Sequence, residues 1–310
     1  PFHENQKLLR SLLQQIYWYK QEKNESFDLF HSPFFHAPKF KNAKIILTVH
    51  DLRFQVYPNT YKKSRYMYLK NQVKKSIYRA DHIITISGFT KNELLKYYKI
   101  DENKISIIYE AVNENAFKNK IKDNFIIIRN LRINSGQFLL SVGHLEPRKN
   151  YQNLIISYKL LNKELRNKYF LVKKKKKSHD YKQTIKMINE TEGILYLDFI
   201  ERDKLIWLYA NCKIHIFPSF YEGFGFPCLE AGLFHKPTVG SNQSSVPEIS
   251  GNGGIYFDPF SPENMVEKIN LILSDQKKYH DISKKAYENV KKYSWSKNAF
   301  ETLNIYNKLK

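Results

Sequence analysis

Cysteine is nearly missing from this chain: of 310 residues only Cys212 and Cys228 carry a thiol. Both sit in apolar surroundings at no metal-ligand spacing, so they read as small buried side chains in a reducing, cytosolic setting rather than as a metal site. Long apolar runs are missing too. No segment approaches the ~18 consecutive apolar residues of a membrane-spanning helix, and the N-terminus lacks a signal-peptide pattern, so the chain reads as soluble or peripheral. The ten histidines and the acidic residues form neither H-E-x-x-H nor any cluster of metal ligands, and no metal is expected. Nothing resembles G-x-G-x-x-G, a Walker loop or a serine nucleophile elbow. No internal repeat is visible, and the only low-complexity tract is the pentalysine 173–177. The chain opens "PFHENQKLL" without Met, which reads as a processed or partial chain.

Acidic residues are scarce against basic ones, 30 against 51, a balance of +21. That balance suits partners bearing phosphate, diphosphate or an anionic surface. Lysine is also crowded with Asn, Ile and Tyr, a composition that coding bias produces as readily as a binding requirement. Because the lysines are scattered rather than interleaved with aromatics in a recognisable module, nucleic acid is not the expected partner.

What is present is alternation. Short β-branched runs at 44–50, 82–87, 104–109, 137–143, 169–172, 193–197 and 213–218, then "PTVG" and "GIYF", are separated by amphipathic segments. This is the βα pattern of a largely parallel sheet with helices on its faces. Helices are expected over 61–79, 88–99, 151–161, 201–209, 226–234, 262–272, 275–291 and 296–309. In the third of these, Tyr151, Leu154, Ile155, Tyr158 and Leu161 form one buried stripe. Between Phe117 and Ser135 the pattern blurs into charged, Asn-rich sequence, read as a domain boundary or crossover. Two βα domains follow, the first short, with three clear strands.

Two segments combine a strand end, a loop and a helix start. In "SVGHLEPRKN" (141–150) the strand ends at Gly143, Pro147 holds a turn, and Arg148 and Lys149 precede a helix. A ligand at the carboxyl edge of such a sheet meets the loop and the helix start together. Arg148 can fork onto two phosphate oxygens while Lys149 supplies a point charge; the alternative is a βα loop with solvated cations. "FPSFYEGFGFPCLEAGLFHKP" (217–237) repeats the layout. Gly223 and Gly225 allow close backbone approach to an anion, and Pro227 is tolerated in the first turn of a helix. Glu222 precedes that helix and Glu230 lies within it, so the two carboxylates are expected to serve different parts of one elongated ligand. In "TVHDL" (48–52), His50 is a candidate catalytic or substrate-orienting group, or else a structural histidine, and Asp51 a cap for the next element. In "ITISGFTKNEL", Ser87 or Thr90 is placed to cap a helix.

The combination of "SVGHLEPRKN", "LDFIERDKLIWLYANCKIHIFPSFYEGFGFPCLEAG" and "KPTVGSNQSSVPEISGNGGIYFDPFSPENM" closely resembles the group 1 retaining glycosyltransferases of GT-B fold, in particular bacterial mannosyltransferase-like members of cell-surface polysaccharide synthesis. The likeness extends through "DLFHSPFFHAP", "ILTVHDLRFQVYP", "RADHIITISGFTKNEL" and "KISIIYEAVN". It implies an α/β fold of two doubly wound Rossmann-like domains facing a cleft. The first would span 1–118 and be completed by a helix at 293–310; a linker or crossover would fill 119–133, and the nucleotide-sugar domain 134–292. Family members begin with a strand and glycine-containing loop, and the resemblance places the start of this chain beyond them.

Carried onto matching positions, Arg148 and Lys149 would hold the donor diphosphate beside Gly143, Glu222 would contact the transferred sugar, and Glu230 would bind the ribose hydroxyls. Backbone groups of Gly223, Phe224, Gly225 and Phe226 would line the sugar and phosphate pocket. His50 matches the histidine that approaches sugar and acceptor. The implied reaction moves a hexosyl unit, mannosyl from GDP-mannose as first choice, from a GDP- or UDP-sugar to a glycan or lipid-linked oligosaccharide, with retention and no metal or other cofactor. The expected location is cytoplasmic, with peripheral contact at the inner face of the plasma membrane. A lysine near 173 or 174 stands where the family carries glycine, and the pentalysine is read as a solvated edge or as attraction to an anionic surface. The alternative to an active enzyme is a non-catalytic GT-B-derived binding or scaffold protein, or a fragment inactive on its own.

Overall fold

The computed structural model describes residues 16–18, 20–25, 27–114, 123–128, 130–174, 182–197 and 200–310. The chain divides into two compact units, one of residues 1–110 with 296–310, the other of residues 111–295.

In the first unit, four parallel strands lie in the order β1 (Leu29–Ser32), β2 (Lys44–Val49), β3 (His82–Thr85) and β4 (Ile105–Ile107). Helices α1 (Arg53–Val56), α2 (Lys63–Arg79) and α3 (Gly88–Tyr97) occupy the connections. Ser87 caps α3, its Oγ accepting from Thr90 N at 3.1 Å. Because side chains alternate along a strand, Leu47 and Val49 face Val73, Ile77 and Leu94, while Ile46 and Ile84 face the other way. Ile46, Ile84 and Ile108 are covered by Ile305, Tyr306 and Leu309 from the helix Trp295–Leu309. His31 pins that contact, with Nδ1 2.6 Å from Tyr306 Oη and Nε2 2.8 Å from Thr48 Oγ1.

The second unit opens with an antiparallel hairpin of β5 (Phe125–Ile128) and β6 (Leu131–Asn134). Six parallel strands follow: β7 (Phe138–Val142), β8 (Phe170–Lys174), β9 (Ile194–Leu197), β10 (Ile214–Phe217), β11 (Thr238–Ser241) and β12 (Gly254–Phe257). Between and after them lie α4 (Tyr151–Leu160), α5 (Lys163–Lys168), α6 (Lys182–Asn189), α7 (Arg202–Asn211), α8 (Phe226–Gly232), α9 (Val246–Ser250), α10 (Pro262–Ser274) and α11 (Gln276–Val290). Leu139 packs with Leu154, Tyr158, Met265 and Ile269 on one face of the sheet. Phe138 and Leu140 pack with Trp207, Leu208 and Ala231 on the other.

The sheet order is β12-β11-β10-β7-β8-β9. From β7 the chain adds two strands on one side and then returns to the other side for β10. The loops leaving the adjacent strands β7 and β10 therefore diverge at the carboxyl edge, and in open α/β sheets that crevice is where ligands bind.

Several elements differ from the sequence reading. The stretch read as a linker or crossover at 119–133 contains β5 and part of β6. Its alternation buries Ile126, Ile128 and Ile133 against Trp207 and leaves Ile127 and Leu131 exposed, while Asn130 turns the hairpin in the left-handed region at φ 64°. The first unit holds four strands rather than three, because β1 is a short aromatic run. Helices α1, α5, α6 and α9 are additional. Of the pentalysine, Lys173 and Lys174 continue β8, and residues 175–177 lie outside the described residues.

Candidate active site

The first loop of the crevice begins where β7 ends. A Cβ at Gly143 would lie 2.6 Å from Tyr151 Oη and 3.6 Å from Lys149 Cδ, so glycine is what lets the chain leave the sheet here. Residues Pro147–Lys149 form a 3-10 turn. Asn150 follows in the left-handed region at φ 55°, and its side-chain nitrogen donates to Pro259 O at 2.7 Å. Helix α4 then starts at Tyr151.

The second loop leaves β10 at Phe217. Phe220 N donates to Arg148 O at 2.7 Å, tying the two loops through their backbones. Two serines brace the segment from the far side. Ser244 Oγ accepts from Glu222 N at 3.1 Å, and the buried Ser245 Oγ bonds Glu222 O at 3.0 Å and Phe224 O at 2.5 Å. Gly225 turns the chain into α8 at φ +125°, where a side chain would be strained.

These supports bring Arg148, Lys149 and Glu222 together. Arg148 Nη1 donates to Glu222 Oε2 at 2.8 Å and to Tyr221 O at 2.9 Å, and its Nε donates to Glu146 Oε2 at 2.7 Å. Lys149 Nζ donates to the other oxygen, Glu222 Oε1, and lies 5.2 Å from the centroid of the Phe217 ring. Burial alone would push the Glu222 carboxyl up, but Lys149 and then Arg148 outweigh it and hold it down at about 2. Burial also works against the Arg148 guanidinium, and there Glu222 and Glu146 win and raise its pKa. For Lys149 burial prevails over Glu222 and lowers its pKa. Two cations and two carboxylates thus form a compact cluster at the switch point. Beneath it on β10, the buried imidazole of His215 is held down at about 3 by burial and by Lys149.

A pH dependence follows with a definite sign. The folded value of Glu222 lies below its ordinary 4.5, so the ion pairs stabilise the protein in full above that pH and the contribution disappears as pH falls toward about 2. The difference in thermal midpoint between the parent protein and Glu222→Gln is expected to be constant from neutral pH to about 5 and to shrink below it. Scanning calorimetry of both proteins across that range checks it; a gap that persists at low pH would contradict the buried pairing.

The other sequence-chosen residues sit elsewhere. Glu230, half-buried on α8, is not in the cluster; its Oε2 accepts from Tyr209 Oη at 2.5 Å. Phe224 turns its ring inward against Phe226, with centroids 5.0 Å apart, and edge-on to Tyr293 at 5.9 Å. Gly223 lies in the loop between Glu222 and this aromatic pair. His50 belongs to the first unit, where its Nε2 is 3.3 Å from Glu110 Oε1; Asp51 Oδ1 accepts from Arg53 N at 2.9 Å, but the cap position of that helix is Leu52, which makes no side-chain cap bond. Cys212 and Cys228 are free and buried, and burial pushes both thiols up to about 12. The sequence reading missed Glu146, Tyr209, Glu110 and the serine pair. Only Glu146 carried a local signal, two positions from Arg148.

Comparison with known proteins extends this picture. The pattern of the family described as "Glycosyl transferases group 1" matches residues 123–289, and that of "Glycosyltransferase Family 4" matches residues 1–116. The O-antigen chain mannosyltransferase B of Escherichia coli is 27% identical over 281 residues, covering 90% of this chain and 74% of that protein. The chain spans only 28–29% of the length of the serotype-specific mannosyltransferase WbdA of Escherichia coli, to which it is 30–31% identical over 237 residues. Sucrose-phosphate synthase from Thermosynechococcus elongatus superposes with a TM-score of 0.76 at 18% identity, over 99% of this chain and 80% of that one. Anabaena HepE, solved with UDP and glucose, superposes with a TM-score of 0.68 at 17% identity, over 86% of this chain and 72% of that one.

The fold is therefore GT-B, built of two Rossmann-like α/β units, and the protein is a glycosyltransferase, moving a sugar from a nucleotide-sugar donor to an acceptor. Within that class the chain belongs to the glycosyl transferases group 1 family.

Proposed function

We propose that this protein transfers a mannosyl unit from GDP-mannose, with retention at the anomeric carbon, to a hydroxyl of a glycan or lipid-linked oligosaccharide in cell-surface polysaccharide synthesis. The observation that carries the reading is the cluster of Arg148, Lys149 and Glu222 at the switch point of the second unit, in a family where relatives are named as mannosyltransferases. Arg148 and Lys149 bind the diphosphate and stabilise the negative charge that grows on it as the glycosidic phosphate bond breaks. Because Glu222 already holds both cations, they need little reorganisation when the donor arrives.

Glu222 has both oxygens engaged by cations, which blunts it as a nucleophile. Its role is electrostatic and orienting, toward the positive charge that develops on the sugar. Glu230 binds the ribose hydroxyls, and the backbone of Gly223 to Phe226 lines the sugar and phosphate site beside Gly143. His50, paired with Glu110, takes the acceptor-side role.

The reaction at an inner membrane surface is supported by the exposed face of α2. Lys63, Lys70 and Lys74 alternate there with the exposed Met67 and Tyr78, and the helix contains no acidic residue. Such a face combines attraction to anionic lipid with apolar side chains that insert among headgroups. Among the described residues no helix is long and apolar enough to cross a membrane.

The decisive experiment incubates the protein with GDP-mannose, GDP-fucose, UDP-glucose and UDP-N-acetylglucosamine and follows nucleotide release. Release from GDP-mannose above the others, with α-mannose as the first-formed hydrolysis product, is expected. Release only from a UDP-sugar would overturn the donor, and neither turnover nor nucleotide binding with any donor would overturn the reading as a whole.

A further inference from the structure

Tyr209 lies on α7 and is fully buried, so its side chain is out of reach of any ligand at the surface of the unit. Its hydroxyl nevertheless donates to Glu230 Oε2 at 2.5 Å, and Glu230 is only half-buried. One carboxylate oxygen is thereby fixed from inside the protein. The helix that presents the hydroxyl is itself held by the core: the neighbouring Trp207 stacks on Phe138 with centroids 6.0 Å apart, and Trp207 Nε1 donates to Asp123 O at 2.9 Å.

We propose that Tyr209 is a positioning residue that sets the Glu230 carboxylate for the ribose diol of the donor, and so makes the site selective for ribonucleotide over 2'-deoxyribonucleotide. The inference rests on the ribose role given to Glu230 above. A glutamate has three side-chain torsions, and a half-exposed one samples several rotamers. A vicinal diol needs a carboxylate held in one orientation, because its two hydroxyls arrive at a fixed separation. A phenol has one proton to give, and here it goes to Oε2, so Tyr209 anchors the carboxylate through that oxygen and fixes the direction in which the group faces a ligand. Burial and the Glu230 charge raise the Tyr209 pKa well above its usual value, so the hydroxyl remains a donor throughout the working range.

The test is Tyr209→Phe, which keeps the ring in the core and deletes only the hydroxyl. Kd is measured by calorimetry for GDP and 2'-deoxy-GDP, and for UDP and 2'-deoxy-UDP, together with KM and kcat for the donor sugar. The ribonucleotide is expected to weaken by roughly tenfold, as for loss of a hydrogen bond that organises a charged group, with the deoxynucleotide nearly unchanged. The ribo-to-deoxy ratio then collapses, and KM rises while kcat stays within about twofold of the parent. A ratio equal to the parent's would overturn the inference. Glu230→Gln separates the two levels of the reading. If that variant lowers the ratio while Tyr209→Phe does not, Tyr209 is merely structural. If neither lowers it, the ribose role of Glu230 falls as well.

Discussion

Glu222→Ala is expected to lower donor turnover by about 10²–10³-fold, the range for losing one group placed toward developing charge, and to reduce unfolding free energy by about 3–5 kcal/mol, the usual cost of removing one partner from a buried ion pair. The variant leaves Arg148 and Lys149 in the crevice without the carboxylate that both oxygens of Glu222 provided. Thermal unfolding and donor hydrolysis read the two effects separately. Adding Lys149→Met to Glu222→Ala removes one of the stranded charges and is expected to restore part of the stability and none of the turnover. Unchanged stability in Glu222→Ala would mean that the pairing is not what holds the two loops.

Arg148→Ala should cost about 10²–10³ in kcat, the range for losing one donor aimed at developing charge. The guanidinium spans Glu146, Tyr221 O and Glu222 at once. An ammonium is a single point and cannot reproduce that fork, so Arg148→Lys is expected to recover little. Steady-state kinetics with a saturating donor checks both variants, and full activity of Arg148→Lys would show that charge alone is required.

Much of this architecture was legible because its signals are local. Runs such as "KIILTVH" and "KIHIFP" announce strands buried on both faces, and Gly143, Pro147, Gly225 and Pro227 mark where loops and helices begin. The hairpin was not legible because Arg132, Asn130 and Asn134 dilute its apolar alternation. Arg148, Lys149 and Glu222 could each be chosen from their loops, but their pairing with one another could not. The mutual pairing depends on strands β7 and β10 lying side by side, which needs the sheet order. Tyr209 was hidden for another reason: within "LIWLYAN" it looks like one more core aromatic, and only the position of α8 shows where its hydroxyl goes. The bond from His31 to Tyr306 joins residues 275 positions apart, beyond any pattern a window of sequence contains.

That last contact bears on how the protein is made. The apolar face built by Ile46, Ile84 and Ile108 is covered by Leu29 and, from the C-terminal helix, by Ile305, Tyr306 and Leu309. On the ribosome, every residue of the second unit is synthesised while that face still lacks its cover. The nascent first unit therefore carries an uncovered apolar patch until the helix Trp295–Leu309 has been made, and a ribosome that stalls before that helix leaves a product suited to chaperone capture rather than to release.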